Sequence, residues 1–120
     1  MGKKFIATNE DAYDSVGDRK IPTSMIQING LRCTMEVEPV VLAKPNPYAV
    51  DLIVNDHCLE KSKCVMIGDR LNTDIAFANS GGIDSILVMT GVSKHEDLIS
   101  TENTAGAPKP TYYLNSLKFI

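Results

Sequence analysis

No stretch of 18 consecutive apolar residues occurs in this 120-residue chain, which excludes an ordinary membrane-spanning helix. The start, Met1-Gly-Lys-Lys, runs straight into an apolar segment without the hydrophobic region or small-residue cleavage site of a secretory signal. A soluble, cytoplasmic protein with no membrane partner is the expectation. Basic charge is also scarce. Lys and Arg total 12 against 15 Asp and Glu, a net charge of −3, so the electrostatic footprint that nucleic-acid binding needs is missing. Cysteine is sparse and odd in number: Cys33, Cys58 and Cys64 lack the spacing of metal ligands or of a disulfide framework, and are expected as reduced, buried thiols. His57 beside Cys58 has no second Cys or His pair at a matching offset, and both are expected within a helix. Only 8 Gly and 6 Pro, with 43% hydrophobic and 22% charged residues, exclude a fibrous or disordered chain. A chain of this length suits one domain and buries roughly two-thirds of its unfolded surface.

What is present is an alternation. Five apolar runs, at residues 4–8, 40–43, 64–68, 85–89 and 111–114, alternate with segments of helical period. This predicts an α/β fold, a Rossmann-like, mostly parallel sheet flanked by helices. Thr23 or Ser24 can cap a helix reaching Met35, and Asn46-Pro47 can start one that carries Val50, Leu52, Ile53 and Val54 inward. Asn72 or Thr73 can cap a third, ended by Gly81-Gly82, and a fourth spans residues 94–100. Residues 9–22 and 101–110 read as irregular, the second as a surface connection and the first as a change of domain. The expected division is therefore 1–22 and 23–120.

Chemistry concentrates at two places. The run Ile67-Gly-Asp-Arg-Leu-Asn-Thr-Asp-Ile75 puts Asp69 at the carboxyl end of a strand, the edge where open α/β sheets bind ligands, and Asp74 in the first turn of the next helix. Two carboxylates on one rim suit a hard cation and its waters. Aspartate also favours loops and helix N-termini for dipole reasons alone, and this motif does not decide between the two readings. Lys44 follows the run 40–43 and precedes Pro45, which blocks helical continuation and displays the lysine at the strand tip. If the two strands are neighbours, Lys44 and Asp69 meet at one edge. A phosphate fits between a cation and an ammonium, each unit-charge pair attracting by roughly 4 kcal/mol at about 4 Å and an effective dielectric near 20. Such a lysine also offsets repulsion between an anionic nucleophile and the phosphate.

At these residues the chain resembles the haloacid-dehalogenase (HAD) superfamily phosphatases, in the subgroup with a large α/β cap. The resemblance runs through Phe5-Ile-Ala-Thr-Asn-Glu-Asp11, Lys44-Pro-Asn-Pro-Tyr48, Ile67–Ile75, Gly81-Gly82, Ile86-Leu-Val-Met-Thr-Gly-Val-Ser93 and Pro110-Thr-Tyr-Tyr-Leu-Asn-Ser-Leu117, in family order. It implies Lys44 as the phosphate-contacting lysine, Asp69 as a Mg²⁺ ligand and Asp74 as the carboxylate supporting the metal shell or the lysine. It further implies that residues 1–22 are the end of a cap with its return linker. Asp14, beside Tyr13, then falls near the position that contacts substrate, and residues 23–120 form the C-terminal part of the core. The implied substrate is a small phosphomonoester such as phosphoglycolate or 4-nitrophenyl phosphate.

One further absence bears on that implication. Such enzymes attack phosphorus with an aspartate, assisted by a second aspartate two residues later, and nowhere in these 120 residues do two aspartates stand one residue apart. Ala43 also replaces the glycine usual before Lys-Pro, and Ala78 occupies a position often glycine. The nucleophile is expected N-terminal to Met1, leaving a chain inactive by itself. The competing reading is a non-catalytic binding module that keeps half the fold. Missing central strands would expose apolar faces and sheet edges, predicting self-association or a homodimer. A phosphorylation-dependent switch domain shares the doubly wound sheet, but no aspartate ends an earlier strand here as its receiver would.

Overall fold

All five apolar runs form strands, and these pair as parallel ladders in two sheets, with a separate antiparallel hairpin between. The computed structural model describes residues 3–119, so Met1, Gly2 and Ile120, the outer ends of the expected 1–22 and 23–120 spans, lie outside the described residues. The chain divides into two compact units, one ending at Ala43 and the other starting at Lys44.

In the first unit, β1 (Ile6–Ala7) pairs in parallel with β4 (Val40–Val41), Ile6 opposite Val40 and Ala7 opposite Val41. A parallel pair needs a crossover, and α1 (Met25–Met35) supplies it. This return of β4 onto β1 holds residues on both sides of α1 in one compact unit. Arg32, in the last turn of α1, donates to Glu10 and to Glu38, each at 2.6 Å, tying the helix end to the residues that follow β1 and precede β4. Those hydrogen bonds, Glu10 first, push the guanidinium pKa further above its ordinary value. Ser24 occupies the cap position as expected but makes no cap with its side chain. Its hydroxyl bonds to Asn9 Oδ1, and the Thr23 hydroxyl donates to the Asp11 carbonyl, so both anchor the 9–11 loop instead.

Residues 9–22 are not irregular throughout. They contain a hairpin of β2 (Tyr13–Val16) and β3 (Arg19–Pro22), in register from Tyr13 opposite Pro22 to Val16 opposite Arg19. The turn is Gly17-Asp18, with Gly17 at φ 60°, a two-residue hairpin connection that glycine permits. Both faces of the ribbon are largely exposed, so it lacks the buried apolar alternation by which a strand is recognised.

In the second unit β5 (Val65–Gly68), β6 (Asp84–Val88) and β7 (Tyr112–Leu114) form a parallel sheet in that order. Leu71, Ile75, Leu87 and Leu98 make its buried cluster, with Met89 against it. The helix α2 (Tyr48–Asp56) starts at the expected Asn46-Pro47, where Asn46 Oδ1 accepts the Tyr48 N–H at 3.0 Å. Of the four residues expected inward, Val50 is buried, Val54 is half-buried and Ile53 lines an open apolar cleft with them, whereas Leu52 is 55% exposed, contrary to the expectation. His57 and Cys58 follow the helix instead of belonging to it, Cys58 at φ 51°. Nor are the cysteines buried: Cys33 and Cys58 are exposed and Cys64 is half-buried.

The segment after β5 begins as a wide helical turn, Leu71–Ile75, running into α3 (Ala76–Gly81). Its cap position is Arg70, so Asn72 and Thr73 lie inside the helix rather than capping it. Gly82, at φ 68°, ends α3 as expected. Helix α4 (His95–Glu102) is capped through Asp97, whose Oδ2 accepts the Lys94 N–H at 2.8 Å. The connection to β7 is pinned by Asn79, which donates to the Lys109 carbonyl at 3.0 Å and accepts its N–H at 2.9 Å. Among the described residues no helix is long and apolar enough to cross a membrane.

Helices α2 and α3 approach where α3 has glycine. A Cβ on Gly81 would lie 2.7 Å from Val50 Cγ2, inside contact distance. Gly81→Ala should therefore cost about 1–3 kcal/mol by denaturant unfolding, despite alanine's better helix propensity. Adding Val50→Ala should cost less in that background than in the wild type.

Candidate active site

The strand β5 ends at Gly68, and the chain turns there with Asp69 and Arg70 leading into the Leu71–Ile75 turn. That turn brings Asp74 back beneath the strand end. The Asp74 side chain is 6% exposed, and its Oδ2 accepts the N–H groups of Asp69 at 3.2 Å and Arg70 at 3.1 Å. Its other oxygen, Oδ1, accepts from Lys44 Nζ at 2.7 Å, whose side chain stays 43% exposed. Gly68 makes the approach possible, since a Cβ there would sit 2.3 Å from Asp74 Cβ.

Lys44 reaches this place by a route other than the expected one. The strand β4 stops at Val41 and pairs with β1, not with β5. Lys44 lies in the turn before α2, and its long side chain rather than strand adjacency makes the contact. Nor does Asp74 face outward beside Asp69. It is buried against backbone amides and the ammonium, which is the geometry of a group holding the lysine.

Asp69 is held from the opposite side by the loop after β6. The Val92 N–H donates to Asp69 Oδ2 at 2.8 Å, and the Ser93 N–H donates to the Asp69 carbonyl at 2.9 Å. Ser93 Oγ accepts the Leu71 N–H at 3.1 Å. Gly91 lies so close that a Cβ would fall 2.0 Å from Asp69 Oδ2. Residues 86–93 carry part of the family resemblance, but their side chains give no reason to place Gly91, Val92 and Ser93 against Asp69. Lys44, Asp69 and Asp74 are thus brought together within one unit. Asp14 is exposed on β2, in the other unit.

Mg²⁺ takes oxygen donors in near-octahedral geometry and commonly uses one or two carboxylates, the rest being water and phosphate oxygens. With both Asp74 oxygens engaged, Asp69 at the strand end is the carboxylate of suitable chemistry. Among the described residues no group of three His, Cys, Asp or Glu could hold a metal. The donor set fits one protein ligand of a hard cation rather than a whole site.

The family model described as HAD-hydrolase-like matches residues 41–119. The chain belongs to this family. Its similarity extends beyond the matched segment: it is 33% identical to phosphoglycolate phosphatase 2 of Arabidopsis thaliana, over 99% of this chain and 39% of that protein. Among solved structures, 4-nitrophenylphosphatase from Thermotoga maritima superposes with a TM-score of 0.83 at 32% identity, over 96% of this chain and 42% of that one. A glycerol phosphate phosphatase from Mycobacterium tuberculosis, in complex with magnesium, gives a TM-score of 0.80 at 28% identity, over 94% of this chain and 33% of that one. The α/β fold, with parallel sheets flanked by helices, is the one these HAD phosphatases share. The chain spans about two-fifths of the length of the first curated relative and the first structure.

The ion pair and the amide bonds differ in weight. Asp74→Ala strips the acceptor from two backbone N–H groups, each costing about 1–3 kcal/mol when buried and unpaired. Lys44→Met leaves one oxygen of the buried Asp74 carboxylate without its ammonium but keeps both amide bonds on the other, a smaller loss. Denaturant unfolding should rank Asp74→Ala well below Lys44→Met in stability, and equal losses would contradict this division of labour.

Proposed function

We propose that this chain is the C-terminal part of a Mg²⁺-dependent phosphatase that hydrolyses small phosphomonoesters through an aspartyl-phosphate. The observation that carries the reading is the Lys44–Asp74 ion pair of 2.7 Å, anchored at the strand end that also bears Asp69. In this reading Lys44, held by Asp74, contributes its remaining donors to a phosphate oxygen, which neutralises charge as the nucleophile approaches. Lys44 and Asp74 are the catalytic pair supplied here, and Asp69 is the Mg²⁺ ligand. Bound Mg²⁺ would supply Lewis-acid stabilisation of phosphate charge. We assign residues 1–22 to the end of a cap with its return linker and residues 23–120 to the C-terminal part of the core, with Asp14 a substrate contact carried on the β2–β3 hairpin. Phosphoglycolate, 4-nitrophenyl phosphate and similar esters fall within the substrate class, as the relatives' names suggest. The three free thiols and net charge of −3 support a cytoplasmic setting without nucleic-acid or membrane partners.

The attacking aspartate is not among these residues, since no Asp-x-Asp occurs in the sequence. Loss of such a group removes on the order of 10⁴ to 10⁶ in rate, so the chain by itself is inactive. A second reading, a non-catalytic interaction module, draws support from β5. Val65 and Ile67 on this outer strand of the sheet are 48% and 42% exposed, and no charge or proline protects the strand. Self-association through that edge fits both readings.

The purified chain, given 4-nitrophenyl phosphate and Mg²⁺, should turn over no faster than its Asp69→Asn variant. Mg²⁺-dependent hydrolysis that Asp69→Asn abolishes would refute the inactivity. On size-exclusion chromatography the same sample should elute above monomer mass as concentration rises; a concentration-independent monomer would remove the edge-pairing claim.

A further inference from the structure

We infer that Ser93 is a positioning residue for Asp69, acting with Gly91 and Val92 from the loop after β6; the inference rests on the proposed role of Asp69 as a cation ligand. Three consecutive residues converge on one aspartate. Gly91 gives its side chain room, because a Cβ would lie 2.0 Å from Asp69 Oδ2. The Val92 N–H fixes that same oxygen at 2.8 Å, which sets the rotation of the carboxylate. Ser93, 7% exposed, holds the backbone on both sides of Arg70: its N–H donates to the Asp69 carbonyl at 2.9 Å, and its Oγ accepts the Leu71 N–H at 3.1 Å.

A purely structural account covers part of this. The Leu71 N–H opens a helical segment whose cap residue, Arg70, offers no side-chain cap, so a buried hydroxyl from elsewhere satisfies an otherwise orphaned donor. Capping requires nothing at Asp69 Oδ2 and no glycine at position 91. The contacts on the carboxylate itself come from the Val92 N–H and the space at Gly91, and Ser93 acts on them by fixing the backbone that carries Asp69 against that loop, as groups that set ligand orientation do.

The test is an NMR titration of the full chain with Mn²⁺, reading paramagnetic broadening of backbone amides beside thermal melting. In the wild type, broadening should concentrate at Asp69, Arg70 and Val92. Ser93→Ala should raise the Mn²⁺ concentration for half-broadening about tenfold. Ser93→Thr, which keeps the hydroxyl, should restore it, and Ser93→Cys, a weaker acceptor, should fall between and serves if Ser93→Ala does not fold. Val50→Ala, a buried change on α2 where it packs against Gly81, should lower the melting temperature without moving the titration. A Ser93→Ala chain that melts early yet titrates like wild type would overturn the positioning role. A wild type with no localised broadening would instead remove the cation reading of Asp69, and this inference with it.

Discussion

A buried carboxylate must have its oxygens filled, and Asp74 fills them with one ammonium and two successive amides. Lys44 Nζ takes one oxygen, and the Asp69 and Arg70 N–H groups share the other. Leaving such a group unpaired costs several kcal/mol, whereas pairing it this way makes the local backbone depend on one side chain. The turn after β5 therefore has little freedom: its amides point inward at Asp74, and Asp69 is carried at the strand end. A lysine distant in sequence is brought to the same place by the same carboxylate.

The rest of the site is arranged around that constraint. Gly68 lets Asp74 approach the strand, and Gly91 lets Asp69 approach the loop after β6, each because a Cβ would occupy the neighbour's position. Ser93 ties the two loops together through Asp69 and Leu71. The core beneath consists of Leu71, Ile75, Leu87 and Leu98, so the residues bearing the site alternate with those bearing the packing. Chemistry and stability are thus coupled along residues 69–75, and changes at the charged positions act on both.

Much of this was legible in the sequence because it rests on strong local signals. Apolar runs ending in turn residues located all five parallel-pairing strands, and Asn46-Pro47 and Gly82 marked helix ends that the structure keeps. Lys44-Pro45 and Gly68-Asp69 with Asp74 stood out through their combination and spacing in one chain, not through any one motif. What escaped lacked such a signal. The hairpin at Tyr13–Val16 and Arg19–Pro22 exposes both faces, so no periodicity marks it. Asn72 and Thr73 look like caps, but the wide turn lets Asp74 cap the segment from within. The pairing of β4 with β1 is long-range, and no local composition records it. Leu52 on α2 is exposed although its pattern points inward, since burial depends on what lies opposite.

Amide hydrogen exchange at Asp69 and Arg70, read residue by residue in the wild-type chain and in Asp74→Ala, tests the central constraint most directly. If Asp74 organises the turn, both amides are strongly protected in the wild type and lose protection together in the variant, while those of β6 do not change. Exchange at the rate of an exposed loop in the wild type, or protection that survives loss of the Asp74 carboxylate, would contradict it.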